Sequence, residues 1–194
     1  MTEVRVLGSF PIVQQPRRTV YLIAGFGWRW LEDNMFEKSE YGYKRESRYY
    51  YWPVAAMADF ALKNGDRIQL WAEYDIFRSG LQKSHLENAN MNHSYNEDWI
   101  EWTGGVAENK QKKGEGIRLA VTWNTSYGKT SKWRYSLSAF LRYWHILDSE
   151  ILDYAFTYHQ AEPRQTFEST VQVLEPENKT VQFGVMWRLI SPWF

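Results

Sequence analysis

Apolar and polar residues alternate along residues 67–77, which read RIQLWAEYDIF. Every even-numbered position in this stretch is apolar, whereas the odd-numbered positions include Arg67, Glu73 and Asp75. Alternation with a period of two is typical of a β-strand that has one apolar face and one polar face. The segment therefore predicts a strand, and it raises the question of which face points inward.

The same alternation recurs along most of the chain. It is strong in residues 19–30, 117–128, 133–144 and 181–189, and weaker in residues 3–10, 49–62, 98–108, 150–159 and 166–174. Turn-forming residues such as Asn64 and Gly65 separate these segments. The pattern predicts an all-β chain of eight to ten strands, with up to twelve possible, in a single domain covering residues 1–194.

Composition narrows the class of protein further. Aromatic residues make up 18% of the chain, with 11 Trp, 13 Tyr and 10 Phe, and such side chains favour boundaries between apolar and aqueous phases. No uncharged run approaches the roughly 20 residues of a membrane-spanning helix. Lys plus Arg and Asp plus Glu both number 23, so nothing in the charge indicates a nucleic-acid partner. Cysteine is absent, which excludes disulfides and thiolate sites.

The distribution of the aromatics indicates which face meets which solvent. On the apolar faces they gather near strand ends, as at Trp28, Trp123 and Trp187, with aliphatic residues between them. This is typical of aromatic girdles around a lipid-facing band. The polar faces would then line a lumen. The predicted pore-lining residues are Arg29, Arg67, Glu73, Asp75, Arg118, Arg134, Arg142, Asp153 and Arg188.

In this pattern the chain resembles bacterial outer-membrane β-barrel proteins of the small porin-like class. The resemblance extends to the terminal Phe194, which such proteins use for recognition by the outer-membrane assembly machinery. It implies a closed antiparallel transmembrane β-barrel in the outer membrane, in contact with outer-membrane lipid and lipopolysaccharide. One departure is that the apolar phase slips by one position before Phe194, with Pro192 in between.

Two further features bear on this resemblance. The start of the chain, MTEVRVLGSF, does not have the pattern of a secretory signal, so an outer-membrane location implies a signal that has been removed. Counting ten strands back from Phe194 places the tight Asn64-Gly65 turn at the outer end and the 79–96 loop at the inner end. Barrels of this class prefer the reverse.

The predicted function is passive diffusion of small polar or anionic solutes through a narrow lumen lined by arginine. Arginine stays charged at physiological pH and binds carboxylate or phosphate groups. The balance of basic and acidic residues on the polar faces also permits a lumen that is plugged by salt bridges. One alternative is an outer-membrane anchor, adhesin or enzyme that acts through loops 31–46 and 79–96. A second is a soluble lipocalin-like barrel that binds an apolar ligand.

Catalytic chemistry has little support in the sequence. Among four histidines only His93 has a neighbouring hydroxyl, from Ser94, and no phosphate-binding or metalloprotease motif occurs. The group of His85, Glu87, His93 and Glu97 matches no established metal-site spacing. We therefore predict no catalytic residue, no metal ligand and no cofactor.

Overall fold

The computed structural model describes residues 1–34, 42–86, 98–126 and 134–190. Within these ranges the chain forms eleven strands and no helix, and every strand pair is antiparallel. The all-β, antiparallel prediction is confirmed. The strands are β1 (Thr2–Gln15), β2 (Arg18–Asn34), β3 (Lys44–Ala61), β4 (Arg67–Ser84), β5 (Trp99–Trp102), β6 (Ala107–Gln111), β7 (Gly114–Ser126), β8 (Arg134–Ile146), β9 (Leu152–Gln160), β10 (Gln165–Val173) and β11 (Asn178–Ile190).

Eight strands form the main sheet, in the order β1-β2-β3-β4-β7-β8-β11, with β6 also paired to β4. Strand β7 pairs with the first part of β4, from Arg67 to Ile76, and β6 pairs with the last part, from Gly80 to Ser84. The two therefore occupy one strand position, interrupted at Lys112 and Lys113. Residues 98–108, predicted as one strand, divide between β5 and β6.

The remaining three strands form a second sheet, in the order β10-β9-β5. The β9–β10 hairpin is inserted between β8 and β11, at the end of the main sheet where Ile146 pairs with Asn178. Asn109 of β6 donates 3.3 Å hydrogen bonds to the carbonyl groups of Glu150 and Val173. These bonds attach the hairpin to the main sheet.

The two ends of the main sheet differ in the length of their connections. At one end, called here the short-turn end, residues 16–17, 62–66 and 127–133 link neighbouring strands. In the 62–66 turn Gly65 has a φ of 92°, a conformation that glycine adopts without strain. At the other end, the long-connection end, the links are residues 35–43, 85–113 and 147–177, and the last two contain β5, β6, β9 and β10.

The predicted placement of the Asn64-Gly65 turn was wrong relative to the end of the chain. Arg67, directly after this turn, pairs with Asn124, and Ser136 pairs with both Asn124 and Arg188. The turn therefore lies at the same end as the C-terminal part of β11. The count from the sequence failed because residues 98–108 do not form a separate crossing: β5 lies in the second sheet and β6 shares a strand position with β7. Strands β9 and β10 also leave the main sheet, but as a pair they do not change the direction of the strands before them.

Strands β1 and β11 form the free edges of the main sheet, and neither sheet is closed by backbone hydrogen bonds among the described residues. The backbone register links Gln182 of β11 through β8, β7, β4, β3 and β2 to Ser9 of β1. The Gln182 side chain nevertheless contacts Met1, with 3.9 Å between Nε2 and Sδ. The sheet thus curls until its edges approach each other, with a stagger of eight positions along β1.

The curled sheet turns its polar face inward. Glu73, Asp75 and Arg142 are at most 4% exposed. On the opposite face Val181, Phe183 and Val185 are 63%, 85% and 73% exposed. The alternation of the sequence therefore places polar and charged residues inside and apolar residues outside, the inverse of an ordinary soluble protein.

Candidate functional site in the sheet interior

Six charged side chains from four strands meet inside the curled sheet. They are three arginines and three carboxylates, Glu3 and Arg5 of β1, Glu73 and Asp75 of β4, Arg118 of β7 and Arg142 of β8, and we call them the charged layer. Each lies on the inward face because it alternates with outward apolar neighbours such as Val4 and Tyr74. The formal charges of the layer balance.

Glu3 has the most partners in the charged layer. Arg142 donates two hydrogen bonds of 2.6 Å to its carboxylate, one to each oxygen. Arg118 Nη2 lies 3.3 Å from the same two oxygens, and the Tyr51 hydroxyl donates to Oε1. A forked arginine pair with a carboxylate is among the stronger polar contacts in proteins. Glu3 therefore fixes β1 against β3, β7 and β8.

Glu73 forms the second centre of the charged layer. It pairs with Arg5, accepts a 3.1 Å hydrogen bond from Trp71 Nε1, and lies 3.4 Å from Arg118 Nε. Arg118 is thus shared between Glu3 and Glu73. Burial of a carboxylate is unfavourable unless the carboxylate is paired with a cation. Sharing of Arg118 gives both Glu3 and Glu73 a cationic partner.

Asp75 is less well satisfied than the other two carboxylates. Its side chain is completely buried, its closest cationic atom is Arg142 Nη2 at 4.0 Å, and neither of its oxygens has a hydrogen-bond partner among the described residues. Gly116 lies opposite Asp75 in the register. A Cβ at Gly116 would lie 3.0 Å from Asp75 Oδ2, so this glycine leaves room for the carboxylate.

Aromatic rings cover the charged layer on the side of the long-connection end. Trp144 packs edge-on against Tyr51, with 5.0 Å between ring centroids. The guanidinium carbons of Arg142 and Arg29 lie 5.1 Å and 5.6 Å from the centre of the Trp144 ring. These are cation–π distances. Trp144 and Tyr51, which are 2% exposed or less, therefore separate the layer from the space above it.

Two cavities lie on either side of the charged layer. The cavity toward the short-turn end has a volume of about 450 Å³ and is lined by polar residues such as Gln69, Asn124 and Arg188 together with apolar residues such as Met57, Trp71, Phe140 and Met186. The cavity toward the long-connection end has a volume of about 280 Å³ and is lined by Arg29, Arg45, Tyr49, Gln82 and Trp144 among others. The charged layer thus divides an interior that is lined by both polar and apolar side chains.

The predicted pore-lining residues do not all meet. Four of them, Glu73, Asp75, Arg118 and Arg142, lie in the charged layer, and Arg29 lies beside it. Arg188 lines the larger cavity. Arg67 forms a forked pair with Asp59, at 2.6 Å and 3.0 Å, near the short-turn end.

Two of the predicted residues lie apart from these groups. Arg134 is exposed at the first position of β8, and Asp153 is exposed on β9 in the second sheet. The interior also contains Glu3, Arg5, Tyr51 and Trp144, which are not among the predicted pore-lining residues. The first two alternate with Val4 and Val6, a signal that was available in the sequence.

Some residues on which the sequence-based predictions depend lie outside the described residues. They are Glu87, His93, Ser94, Glu97, Trp133, Pro192 and Phe194. Within the described ranges, no group of three or more His, Asp or Glu side chains is placed to hold a metal ion.

No helix in the described part of the chain is long and apolar enough to cross a membrane.

Two comparisons with known proteins found no match. No protein-family model matches the chain, and no curated protein matches it significantly. The functional proposal therefore rests on the geometry of the sheet.

Proposed function

We propose that this chain is a membrane-spanning β-barrel of a bacterial outer membrane whose lumen is closed by the charged layer, and that it acts through the structure at its long-connection end. The observation that carries the proposal is the inverted distribution of residues. A face with Phe183 at 85% and Trp187 at 61% exposure is unfavourable in water over a large area and favourable in lipid.

The dimensions of the apolar face support a membrane location. On β3 the outward positions run from Tyr50 to Phe60, between Arg48 and the short-turn end. Ten residue steps of ~3.4 Å, tilted by ~40°, give a height of ~26 Å. The apolar band of outer-membrane barrels is about 25 Å tall.

Outward aromatic residues mark the two borders of this band. Toward the long-connection end they are Trp28, Trp30, Tyr50, Trp52, Tyr74 and Tyr143, and toward the short-turn end they are Trp123, Tyr135 and Trp187. Rings of this kind sit at headgroup level in membranes. The short-turn end corresponds to the periplasmic side in such barrels, and the long-connection end to the cell surface.

A closed barrel requires that β1 and β11 pair. In lipid, unpaired backbone groups along a sheet edge are costly because no water is present to bind them. The two edge strands run in the same direction, so their pairing would be parallel, unlike the pairs of even-stranded antiparallel outer-membrane barrels. Their stagger of eight positions is of the kind that barrel closure demands. We propose that they complete the barrel in the bilayer.

The charged layer distinguishes between the functions that such a barrel can have. It lies between the two cavities and most of its side chains pair with one another, so a solute that passes it has to break ion pairs. A closed lumen leaves the long-connection end, with its second sheet of β5, β9 and β10, as the part that meets partners. This favours the function of an anchor or a surface-binding protein.

A narrow channel for small polar or anionic solutes is the second candidate. Two cavities that are lined partly by polar side chains, among them several arginines, support it. In that case the charged layer is a constriction that must rearrange during passage. The lipocalin-like alternative requires an apolar interior. Apolar side chains line part of the larger cavity, but the described interior also holds Glu73, Asp75 and Arg142.

The test of the membrane proposal uses the absence of cysteine in the chain. Single cysteines replace Val181, Gln182, Phe183, Gly184 and Val185 in turn, and a nitroxide label on each is probed in lipid vesicles with oxygen and with a water-soluble nickel complex. We expect oxygen accessibility at the three odd-numbered positions and low values between them. Nickel accessibility at Val181, Phe183 and Val185 would contradict a lipid-facing surface.

A further inference from the structure

Three basic side chains point outward from neighbouring strands just beyond the apolar band, at the long-connection end. They are Arg48 on β3, Arg78 on β4 and Lys110 on β6, and we call them the outer basic patch. Arg48 pairs in register with Leu81, and Leu81 pairs with Lys110. Arg48 and Lys110 are therefore at the same level, two strand spacings or ~10 Å apart.

Arg78 is directed into this patch by an irregularity of β4. Tyr51 pairs with Phe77 and Tyr50 pairs with Ser79, so Arg78 is an extra residue between two register positions. Such a bulge redirects a side chain. The guanidinium carbon of Arg78 lies 4.3 Å from the centre of the Trp52 ring, and that of Arg48 lies 5.8 Å from the Trp30 ring.

The charge of the outer basic patch is only partly neutralised. Arg48 Nη2 lies 3.2 Å from Glu46 Oε2, and the nearby Lys83 is paired with Glu108 at 2.5 Å. Neither Arg78 nor Lys110 forms an ion pair with any residue in the described ranges. Two cations thus face outward at the border of the apolar surface.

We infer that the outer basic patch binds the phosphate groups of an anionic lipid headgroup in the membrane leaflet at the long-connection end. This rests on the proposed membrane location. Arginine forms forked hydrogen bonds with phosphate, and each basic residue near a charged membrane surface contributes about 1 kcal/mol. A spacing of ~10 Å between the outer cations suits a headgroup that carries two phosphates.

The surroundings of the patch favour a lipid over a free phosphate ion. Trp30 and Trp52 border it at headgroup level, and the outward Val54 and Ile76, 40% and 39% exposed, continue the apolar surface toward the middle of the band. Acyl chains attached to a bound headgroup can lie along this surface. A free phosphate gains nothing from it.

The experiment measures binding of bisphosphorylated lipid A to the detergent-solubilised protein by native mass spectrometry. The variant Arg48→Gln/Arg78→Gln removes two charges at the patch, and the matched control Arg17→Gln/Arg18→Gln removes two exposed charges at the short-turn end. We expect about a 30-fold weaker affinity for the patch variant, or roughly 5-fold for each arginine, and an unchanged affinity for the control. Inorganic phosphate at the same concentration should not compete.

Three outcomes would overturn the inference: equal affinity of the patch variant and the unmodified protein, an equal loss in the control variant, or full competition by inorganic phosphate. The nitroxide experiment above separates this failure from failure of the proposed function. A protein that shows alternating oxygen accessibility but no patch-dependent lipid binding spans the membrane without this site. A protein that shows neither contradicts both proposals.

Discussion

Arg142 and Glu3 lie 139 residues apart in the chain, yet the guanidinium of Arg142 donates a 2.6 Å hydrogen bond to each oxygen of the Glu3 carboxylate. Within the described ranges, strand β1 pairs only with β2, and β8 pairs only with β7 and β11. The ion pair therefore joins the first and eighth strands across the interior and not along the sheet. It fixes the curvature that the backbone bonds leave open.

Removing the negative charge of Glu3 should destabilise the protein. Glu3→Gln leaves Arg142, which is 4% exposed, without its main counter-charge, and breaking a buried pair from one side costs about 3 kcal/mol. Urea unfolding in lipid vesicles, followed by tryptophan fluorescence, measures the free energy of unfolding. The control Glu101→Gln alters a carboxylate that is 53% exposed. It should change the free energy of unfolding by less than about 1 kcal/mol. Equal losses would contradict the role of the ion pair.

Under the proposal that the charged layer closes the lumen, ion conduction through the native protein should be low in planar bilayers. Glu3→Gln should increase the frequency of open events and their anion preference, since it leaves Arg118 and Arg142 with less counter-charge. The control Arg134→Ala, at an exposed position of β8, should leave both unchanged. A large and steady conductance of the unmodified protein would show that the layer does not close the lumen.

Adding a methyl group at Gly27 should disturb the charged layer indirectly. The ring of Tyr51 lies against Gly27 so closely that a Cβ there would overlap it. Gly27→Ala should displace Tyr51 from Glu3 and lower the free energy of unfolding by about 1–3 kcal/mol. Gly8→Ala is the matched control, because the closest atom to its Cβ would be 3.9 Å away. The same unfolding assay measures both variants. An unchanged free energy of unfolding in Gly27→Ala would contradict this packing.

Alternation in the sequence predicted the strands and the residues on each face. At Glu73, Asp75, Arg118 and Arg142 it identified inward side chains that the structure places together, because a period of two fixes the face of a strand independently of its partners. It missed Glu3 and Arg5 because residues 3–10 were taken only as a short opening strand. The partners of each charge depend on curvature and stagger, which alternation does not encode.

Alternation in the sequence did not predict the second sheet. Residues 150–159 and 166–174 show weak alternation, and nothing in their pattern distinguishes a strand that continues the main sheet from one that leaves it. Asp153 was therefore assigned to the lumen although it lies on β9. Pairing partners decide sheet membership, and those follow from long-range contacts such as Asn109 with Val173.

Closure of the barrel can be tested with paired cysteines on the two edge strands. Met1 contacts Gln182, and three residues further along each strand Val4 and Val185 both point outward. Direct pairing in a bilayer would bring their Cα atoms within the ~4.4–6.8 Å that a disulfide spans. We expect Val4→Cys/Val185→Cys to form a disulfide in vesicles, and Val4→Cys/Leu119→Cys to form none. Reaction only with a ~10 Å bis-maleimide would mean that the edges remain apart.

Acid should loosen the second sheet. The Tyr158 hydroxyl donates to Asp98 and holds the pKa of that carboxyl below its ordinary value, and the Ala161 N–H donates to it at 2.8 Å. A lowered carboxyl pKa contributes stability above the ordinary pKa of about 3.9, and this is lost as pH falls through the lower folded value. Amide exchange in β5 and β9 should therefore accelerate below about pH 4. Tyr158→Phe should shift the onset upward, and an unchanged onset would contradict the assignment.

The Glu3–Arg142 pair joins strands that are far apart in the chain, and this separation affects the order in which the sheet assembles. Neighbouring strands β1 to β4 can pair as successive hairpins at an early stage of folding, since their contacts are local. Glu3, however, requires Arg118 and Arg142, which belong to strands much further along the chain. Until then a partly built sheet carries an uncompensated carboxylate on its concave side and remains hydrated there. Expulsion of that water and completion of the ion pairs are therefore among the last steps of folding.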